Sequence, residues 1–303
     1  MPLSLVLDSV LGEPPNTVHP VVWIGRAISM LERAAPAEPV PALVYGALVT
    51  GLTVGGAAAL GAVVSRVVAR LPFPLDLLLE SWTLKTTLSS RALIEAGKLL
   101  ESRLYAGDLA GARQAATALV SRDVSGLTPV QLASAAIESM AENTADSIIA
   151  PLVYYALGGL PGALAYRAAN TLDAMIGYHG QYEYLGKAGA RLDDLLNLLP
   201  ARLSSALLLL GGALSGGDLA TGVEMTLRDH GQPASPNAGW PMSTMAGLLG
   251  TRLEKIGHYR LGGELPVPDL PAIDHAAEIV KRTTLLTVAV ALGLGWLRRA
   301  LTR

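Results

Sequence analysis

The sequence predicts an all-α fold: a polytopic helical membrane protein with about three to five transmembrane helices, joined by re-entrant and amphipathic ones. Three observations carry that expectation. Hydrophobic residues make up 51% of the chain and charged residues only 16%, against about a quarter charged in ordinary soluble domains. Between Glu38 and Arg66 runs a charge-free stretch of 27 residues, "PVPALVYGALVTGLTVGGAAALGAVVS". At 1.5 Å per helical residue it is long enough to cross a hydrocarbon core of about 30 Å. Alternating β-branched stretches are few and no fixed-period repeat is seen, which argues against strands and against a repeat array.

The elements follow in order. The N-terminal "MPLSLVLDSVLGEPPN" has no basic n-region and meets an acid at Asp8, so no cleaved signal peptide is expected and insertion rests on internal segments. Residues 81–104 set Leu84, Leu88, Ala92 and Leu99 along one stripe, with Arg91 and Glu95 four apart, as in an amphipathic helix covering the membrane domain. "TPVQ" at 128–131 combines an N-cap Thr, a Pro at the first helical position and a Gln able to close a capping box, so a helix is expected to start there. That helix carries Glu138, Glu142 and Asp146 down one side and enters an apolar run at Ile148. Uncharged runs at 147–166, 203–217 and 283–297 are further spans or partly buried helices. The first begins near Pro151 and is broken by "GGLPG" at 158–162, which predicts two half-helices that enter and return on the same side of the membrane. One integrated domain, 1–303, is expected, with polar loops at 7–26, 81–146, 166–202 and 228–262, in a multi-pass protein of the cell (inner) membrane surrounded by lipid.

Composition also excludes. A net charge of −2 leaves no basic stripe for a phosphate backbone, so nucleic acid is not an expected partner. The chain has no Cys, hence no disulfide and no thiolate chemistry. The nucleotide-binding P-loop, the dinucleotide Gly fingerprint, the H-E-x-x-H zinc motif and the G-x-S-x-G elbow are all missing from the sequence.

Polar clusters beside apolar runs are the candidate site, because a polar group there needs a partner or a ligand. Glu138, Glu142 and Asp146 should repel one another on a shared helix face. A divalent cation or a substrate amine between them would relieve this, and a solvated acidic face is the plainer alternative. Tyr166, Asn170 and Asp173 recur at helical spacing, and Asp193, Asp194 and Asn197 follow about 20 residues later. Together they suit metal–phosphate chemistry, or else ion pairs with Arg191 and Arg202. "SPNAGWP" offers backbone N–H groups, the Asn237 amide and the Trp240 face to an anion, or is simply a turn. Glu13 and His19 share a proline-braced loop. Lys255, His258, Tyr259 and Arg260 form a patch suited to phosphate, carboxylate or a membrane surface.

The ordered motifs "LDSVLGEPPNTVHPVVWIG", "ESMAENTADSIIAPLVYY", "GALAYRAANTLDAMIGY", "ARLDDLLNLLPARL" and "SPNAGWPMSTMAG" resemble the cobalamin-biosynthesis integral membrane family of adenosylcobinamide-phosphate synthases, from Leu7 to about Gly262. The resemblance implies an ATP-dependent ligase joining a propionate carboxylate of adenosylcobyric acid to the amine of (R)-1-amino-2-propanol or its O-phosphate, giving adenosylcobinamide or its phosphate. It implies catalytic roles for Glu138, Glu142, Asn143, Asp146, Asn170 and Asp173. Mg²⁺ would be held by Glu142, Asp146, Asp173, Asp193 and Asp194, and substrate by Glu13, His19, Arg167, Asn237, Trp240, Lys255 and Tyr259. ATP use rests on the resemblance alone, and association with other corrinoid-pathway enzymes is a further expectation. Two rivals stand beside this: a Mg²⁺-dependent membrane prenyltransferase-like enzyme, for which "NTLD" and "DDLLN" suffice, and a non-catalytic membrane sensor, in which the acidic clusters would be lost.

Overall fold

The computed structural model describes residues 1–301. Twelve helices and one hairpin appear among them: α1 (Pro2–Leu11), α2 (Pro20–Glu32), α3 (Pro39–Val68), α4 (Leu75–Lys85), α5 (Ser90–Tyr105), α6 (Leu109–Ala116), α7 (Pro129–Thr144), a π-helical turn (Ala145–Ile149), α8 (Ala150–Ile176), α9 (Lys187–Leu214), α10 (Leu219–Asp229), α11 (Gly239–Leu248), β1 (Leu253–Lys255), β2 (Tyr259–Leu261) and α12 (Pro271–Leu301). The protein is therefore helical, as the composition predicts. Three segments are long and apolar enough to cross a membrane: Pro39–Val68, Pro129–Ile176 and Lys187–Leu214. The chain is organised as two compact units, each assembled from separated segments: 1–89, 150–197 and 290 onward, and 90–149 with 198–289.

In the first unit, α3 is the charge-free stretch foreseen in the sequence. Its Val44, Leu48 and Leu52 point outward, as lipid-facing side chains do. Its small residues Ala42, Gly46, Ala57 and Gly61 are buried: a Cβ on Gly61 would lie 2.7 Å from Pro161 Cα, so that glycine lets α3 and α8 touch backbone to backbone. Ile28, Val49, Leu172, Ile176 and Leu185 form a core cluster of this unit.

The 48-residue segment ending at Ile176 would reach about 72 Å as one straight helix, more than twice a hydrocarbon core. It is not straight. Gly159 adopts φ 65°, ψ −157°, a conformation open essentially to glycine alone, and the α8 axis breaks there. Tyr154 and Tyr166 then stack with ring centroids 5.1 Å apart, where 12 residues of uninterrupted helix would separate them by about 18 Å. The two limbs of α8 thus fold back on each other, as "GGLPG" suggests.

One expectation needs correction. A single helix across 81–104 does not form: α4 stops at Lys85 and α5 begins at Ser90. The hydroxyls of Thr86 and Thr87 donate to the carbonyls of Thr83 and Leu84, both at 2.7 Å, and these local bonds compete with helix continuation. The Arg91–Glu95 pair does form, at 2.7 Å.

In the second unit, α7 starts at the predicted capping box. Gln131 Oε1 accepts from Thr128 N–H at 2.8 Å, and Thr128 Oγ1 accepts from Gln131 N–H at 3.4 Å. Residues Leu132 to Ala141 of α7 are all buried, so this helix is the centre of the unit. Thr226 and Thr244 join α10 to α11 through a 2.7 Å hydroxyl contact. The antiparallel β1–β2 hairpin places Lys255 opposite Tyr259, and Gly257, at φ 77°, supplies the left-handed residue its turn needs.

Candidate functional site

In the first unit the polar centre joins α8 to the start of α9. Asp193 is 8% exposed. Its Oδ2 accepts from Asn197 Nδ2 at 2.9 Å and its Oδ1 from Asn170 Nδ2 at 3.5 Å. Tyr166, fully buried, donates its hydroxyl to Asn197 Oδ1 at 2.8 Å and thereby fixes the amide so that its NH₂ faces Asp193. Arg167 donates to Asn170 Oδ1 at 3.4 Å, and Arg191 lies 3.8 Å from Asp194. Asp173 feels the charges of both Asp193 and Asp194. Five of the predicted residues, Arg167, Asn170, Asp173, Asp193 and Asp194, are therefore brought together here.

A second feature of this unit is a hydrogen-bonded group in the loop after α1, in which a half-exposed Glu13 meets buried His19 and Lys85. His19 Nδ1 accepts the N–H of Val21, capping α2, so Nε2 carries the proton and donates to Glu13 Oε2 at 2.9 Å. Lys85, wholly buried, donates to the carbonyl of Gly12 and stands 3.8 Å from the same Glu13 oxygen. Burial pushes the Glu13 carboxyl up, but His19 donation and the Lys85 charge outweigh it and hold the group below the ordinary carboxylate range. Lys85 is a residue that sequence reasoning missed. Its only signal was a lone cation inside "ESWTLKTTL".

In the second unit Glu138 is 4% exposed and has protein partners on both oxygens. Ser134 donates to Oε1 at 2.7 Å, Tyr259 donates to Oε2 at 2.7 Å, and Arg122 stands 3.7 Å from Oε2. Ser134 also accepts the Glu254 N–H at 2.8 Å, pinning the hairpin to α7. Burial, followed by the charge of Glu138 and the hydrogen bond to it, pushes the Tyr259 phenol far up and keeps it a donor. A pocket of about 140 Å³ opens against this group, walled by Arg122, Glu138, Glu142, Lys255 and Tyr259.

The acidic trio therefore differs from its expected form. Glu138 accepts from two hydroxyl donors and has Arg122 3.7 Å away. Asp146 lies in the π-helical turn Ala145–Ile149 that continues α7. Asn143 spends its amide on Ser139, at 3.0 Å to the carbonyl and 3.1 Å to the hydroxyl. Neither Asn143 nor Asp146 lines the pocket. Asn237 and Trp240 do come together: Arg202 donates to Asn237 Oδ1 at 2.7 Å and lies 4.8 Å from the Trp240 ring, which His230 contacts from 4.2 Å. Arg122 was also missed, since "VSRDVSG" reads as an ordinary polar loop.

Among the described residues no group of three or more His, Asp or Glu side chains is arranged to hold a metal ion. Mg²⁺ bound to a phosphate needs only one or two protein carboxylates. Asp193, oriented by two amides and close to Asp173, fits that lesser demand.

Fold and site together define a helical, membrane-embedded protein whose buried carboxylates and amides are held by neighbouring hydroxyls and cations. The CobD/Cbib protein family matches residues 1–288, and the chain belongs to this family. It is 37% identical to the cobalamin biosynthesis protein CobD of Dehalococcoides mccartyi over 98% of this chain and 97% of that one. It is 40% identical to the cobalamin biosynthesis protein CobD of Klebsiella pneumoniae over 96% and 93%. No solved structure matches.

Proposed function

We propose that the protein acts in cobalamin biosynthesis at the cell membrane, forming the amide between adenosylcobyric acid and (R)-1-amino-2-propanol or its O-phosphate. Family membership supports the pathway, and the preorganised Asp193–Asn170–Asn197 group is the observation that carries an acyl-activating chemistry. A carboxylate accepts an amine only when one of its oxygens becomes a leaving group, and ATP with Mg²⁺ would supply that activation. On this reading Asp193 and Asp173 would hold the cation, Asn170 and Asn197 orient Asp193, and as the C–N bond forms the acyl C–O bond breaks, phosphate leaves and the amine loses its proton to a carboxylate. The five ordered motifs, which include "GEPPN" and "SPNAGW", favour this over a prenyltransferase-like reading that would leave those two unused. Retention of the acidic residues favours it over a sensor.

The test is direct. A host lacking this gene and fed cobyric acid should fail to make cobalamin and recover on cobinamide. Growth on cobyric acid in that strain, with no paralogue present, would overturn the proposal. Purified protein incubated with adenosylcobyric acid, aminopropanol phosphate, Mg²⁺ and ATP, each omitted in turn, then defines the reaction from the mass of the corrinoid product.

A further inference from the structure

Two short helices of the first unit carry their polarity the wrong way round for a protein surface in water. On α1 the buried side chains are Ser4, Leu5 and Asp8, while Val6 and Val10 are exposed, Val6 at 55%. On α4 the buried ones are Ser81, Thr83, Leu84 and Lys85, while Leu75, Leu77, Leu78 and Trp82 are exposed. A surface helix in water buries its apolar stripe and shows its polar face to solvent. Here the order is reversed.

The inward polar groups are held by protein. Ser4 donates to the Met1 carbonyl at 2.6 Å, Thr83 donates to the Leu79 carbonyl at 2.8 Å, and Lys85 donates to the carbonyl of Gly12, tying the end of α1 to the end of α4. Glu80, the acid in the middle of α4, accepts the Tyr155 hydroxyl of α8 at 2.7 Å. Polar groups turned toward protein partners, with apolar side chains turned outward, are what a hydrocarbon solvent demands, because an outward polar group meets no water there.

The outward apolar face is continuous with a surface that the chain already gives to the membrane. In the last turns of α3, a segment long and apolar enough to span, Val63 and Val67 are exposed, and so are Arg66 and Arg70 beside them. Charged side chains at the end of a span mark the headgroup level, with their apolar stems left in hydrocarbon. Only residues 69–74 join α3 to α4, so α4 starts no further than about 25 Å from the end of α3. Phe73, within that link, is 79% exposed, the highest value among the large hydrophobic side chains described. α4 then packs against α1, α3 and α8. At 10 and 11 residues α1 and α4 extend about 15–17 Å, half of a hydrocarbon core, so neither crosses it.

We infer that α1 and α4 are embedded in one leaflet of the bilayer at the Arg66 end of α3, with Val6, Val10, Leu75, Leu77, Leu78 and Trp82 against lipid acyl chains and their polar sides against protein. The protein thus meets lipid through a pair of half-depth helices in addition to its three segments of spanning length.

The experiment uses the purified full-length chain in phospholipid nanodiscs. The chain has no Cys, so Val6→Cys and Leu78→Cys each provide a single attachment point for a nitroxide spin label. Leu48→Cys, on the outer face of α3, sets the lipid reference, and His179→Cys, whose side chain is 94% exposed in the loop after α8, sets the water reference. Collision with a water-soluble nickel chelate at positions 6 and 78 is expected to fall about tenfold below that at 179, while collision with oxygen, which concentrates in hydrocarbon, matches that at 48 within about twofold. Nickel collision equal to that at 179 overturns the embedding in favour of a surface in water. Labels shielded from both agents overturn it in favour of a protein cover, and spin–spin broadening between labels identifies that cover as a second copy. A measurement on the unaltered chain guards against misfolding of the variants. A phospholipid carrying a diazirine in its acyl chain, photolysed in the same nanodiscs, should leave adducts on residues 2–11 and 75–85 as it does on 39–68. Adducts on 39–68 without any on the two short helices overturn the embedding as well.

Discussion

Tyr154 and Tyr166 lie 12 residues apart in one apolar run and stack with their ring planes 10° from parallel. Each hydroxyl then reaches α9, Tyr154 to the Leu196 carbonyl and Tyr166 to Asn197, both at 2.8 Å. The reversal of α8 is therefore what delivers a buried hydroxyl to the Asp193 group.

The reversal depends on Gly159. Its backbone conformation strains any residue with a Cβ, so Gly159→Ala should destabilise the protein by about 1–3 kcal/mol. Gly158→Ala, next to it and with open space where a Cβ would go, should have a much smaller effect. Thermal unfolding in detergent compares the two, and equal losses would mean that the turn at Gly159 is not the constraint.

Tyr166→Phe removes one oxygen from a fully buried side chain and leaves the Asn197 carbonyl oxygen without its donor. A cost of about 1–3 kcal/mol is expected from stranding that acceptor. Activity should fall further than stability alone explains, because Asn197 no longer presents its NH₂ to Asp193 in one orientation. The checks are unfolding midpoint and kcat measured on the same preparation.

Asp193→Asn keeps size and removes charge. If Asp193 holds a cation at an activated phosphate, the variant should remain folded and lose about 100-fold or more in kcat, some 3 kcal/mol of charge stabilisation, with a raised Mg²⁺ requirement. A variant with near-normal turnover at low Mg²⁺ would return Asp193 to a purely structural role.

The Glu13–His19–Lys85 relay predicts a pH dependence with a definite sign. The folded state keeps Glu13 ionised below its ordinary value, so its contribution is fully present above about pH 4.3 and is lost as pH falls through the lowered folded value. Wild type should accordingly lose stability on acidification below about pH 4 more steeply than Glu13→Gln. Parallel unfolding curves between pH 6 and pH 3 would contradict the relay.

Elements legible in the sequence are those set by neighbours along the chain. The capping box at Thr128 and Gln131, the Arg91–Glu95 pair and the charge-free α3 all involve residues within a turn or one uninterrupted period, so local geometry suffices to read them. The break at Gly159 was legible for the same reason, since Gly and Pro act on their own backbone. The partners of Glu138 beyond its own helix were not legible, because Arg122 and Tyr259 come to it from distant parts of the chain.

What the sequence by itself determined is the helical membrane character, the places where helices begin and reverse, and the residue types from which a polar site is built. The partners were decided by tertiary structure alone. Glu138 meets Tyr259 across 121 residues, Lys85 meets the Gly12 carbonyl across 73, and Tyr166 meets Asn197 across 31. Such pairs form because a buried carboxylate, ammonium or hydroxyl must find a complement once packing has removed water. Which complement it finds depends on which helices are brought side by side, and no local pattern in the chain encodes that choice.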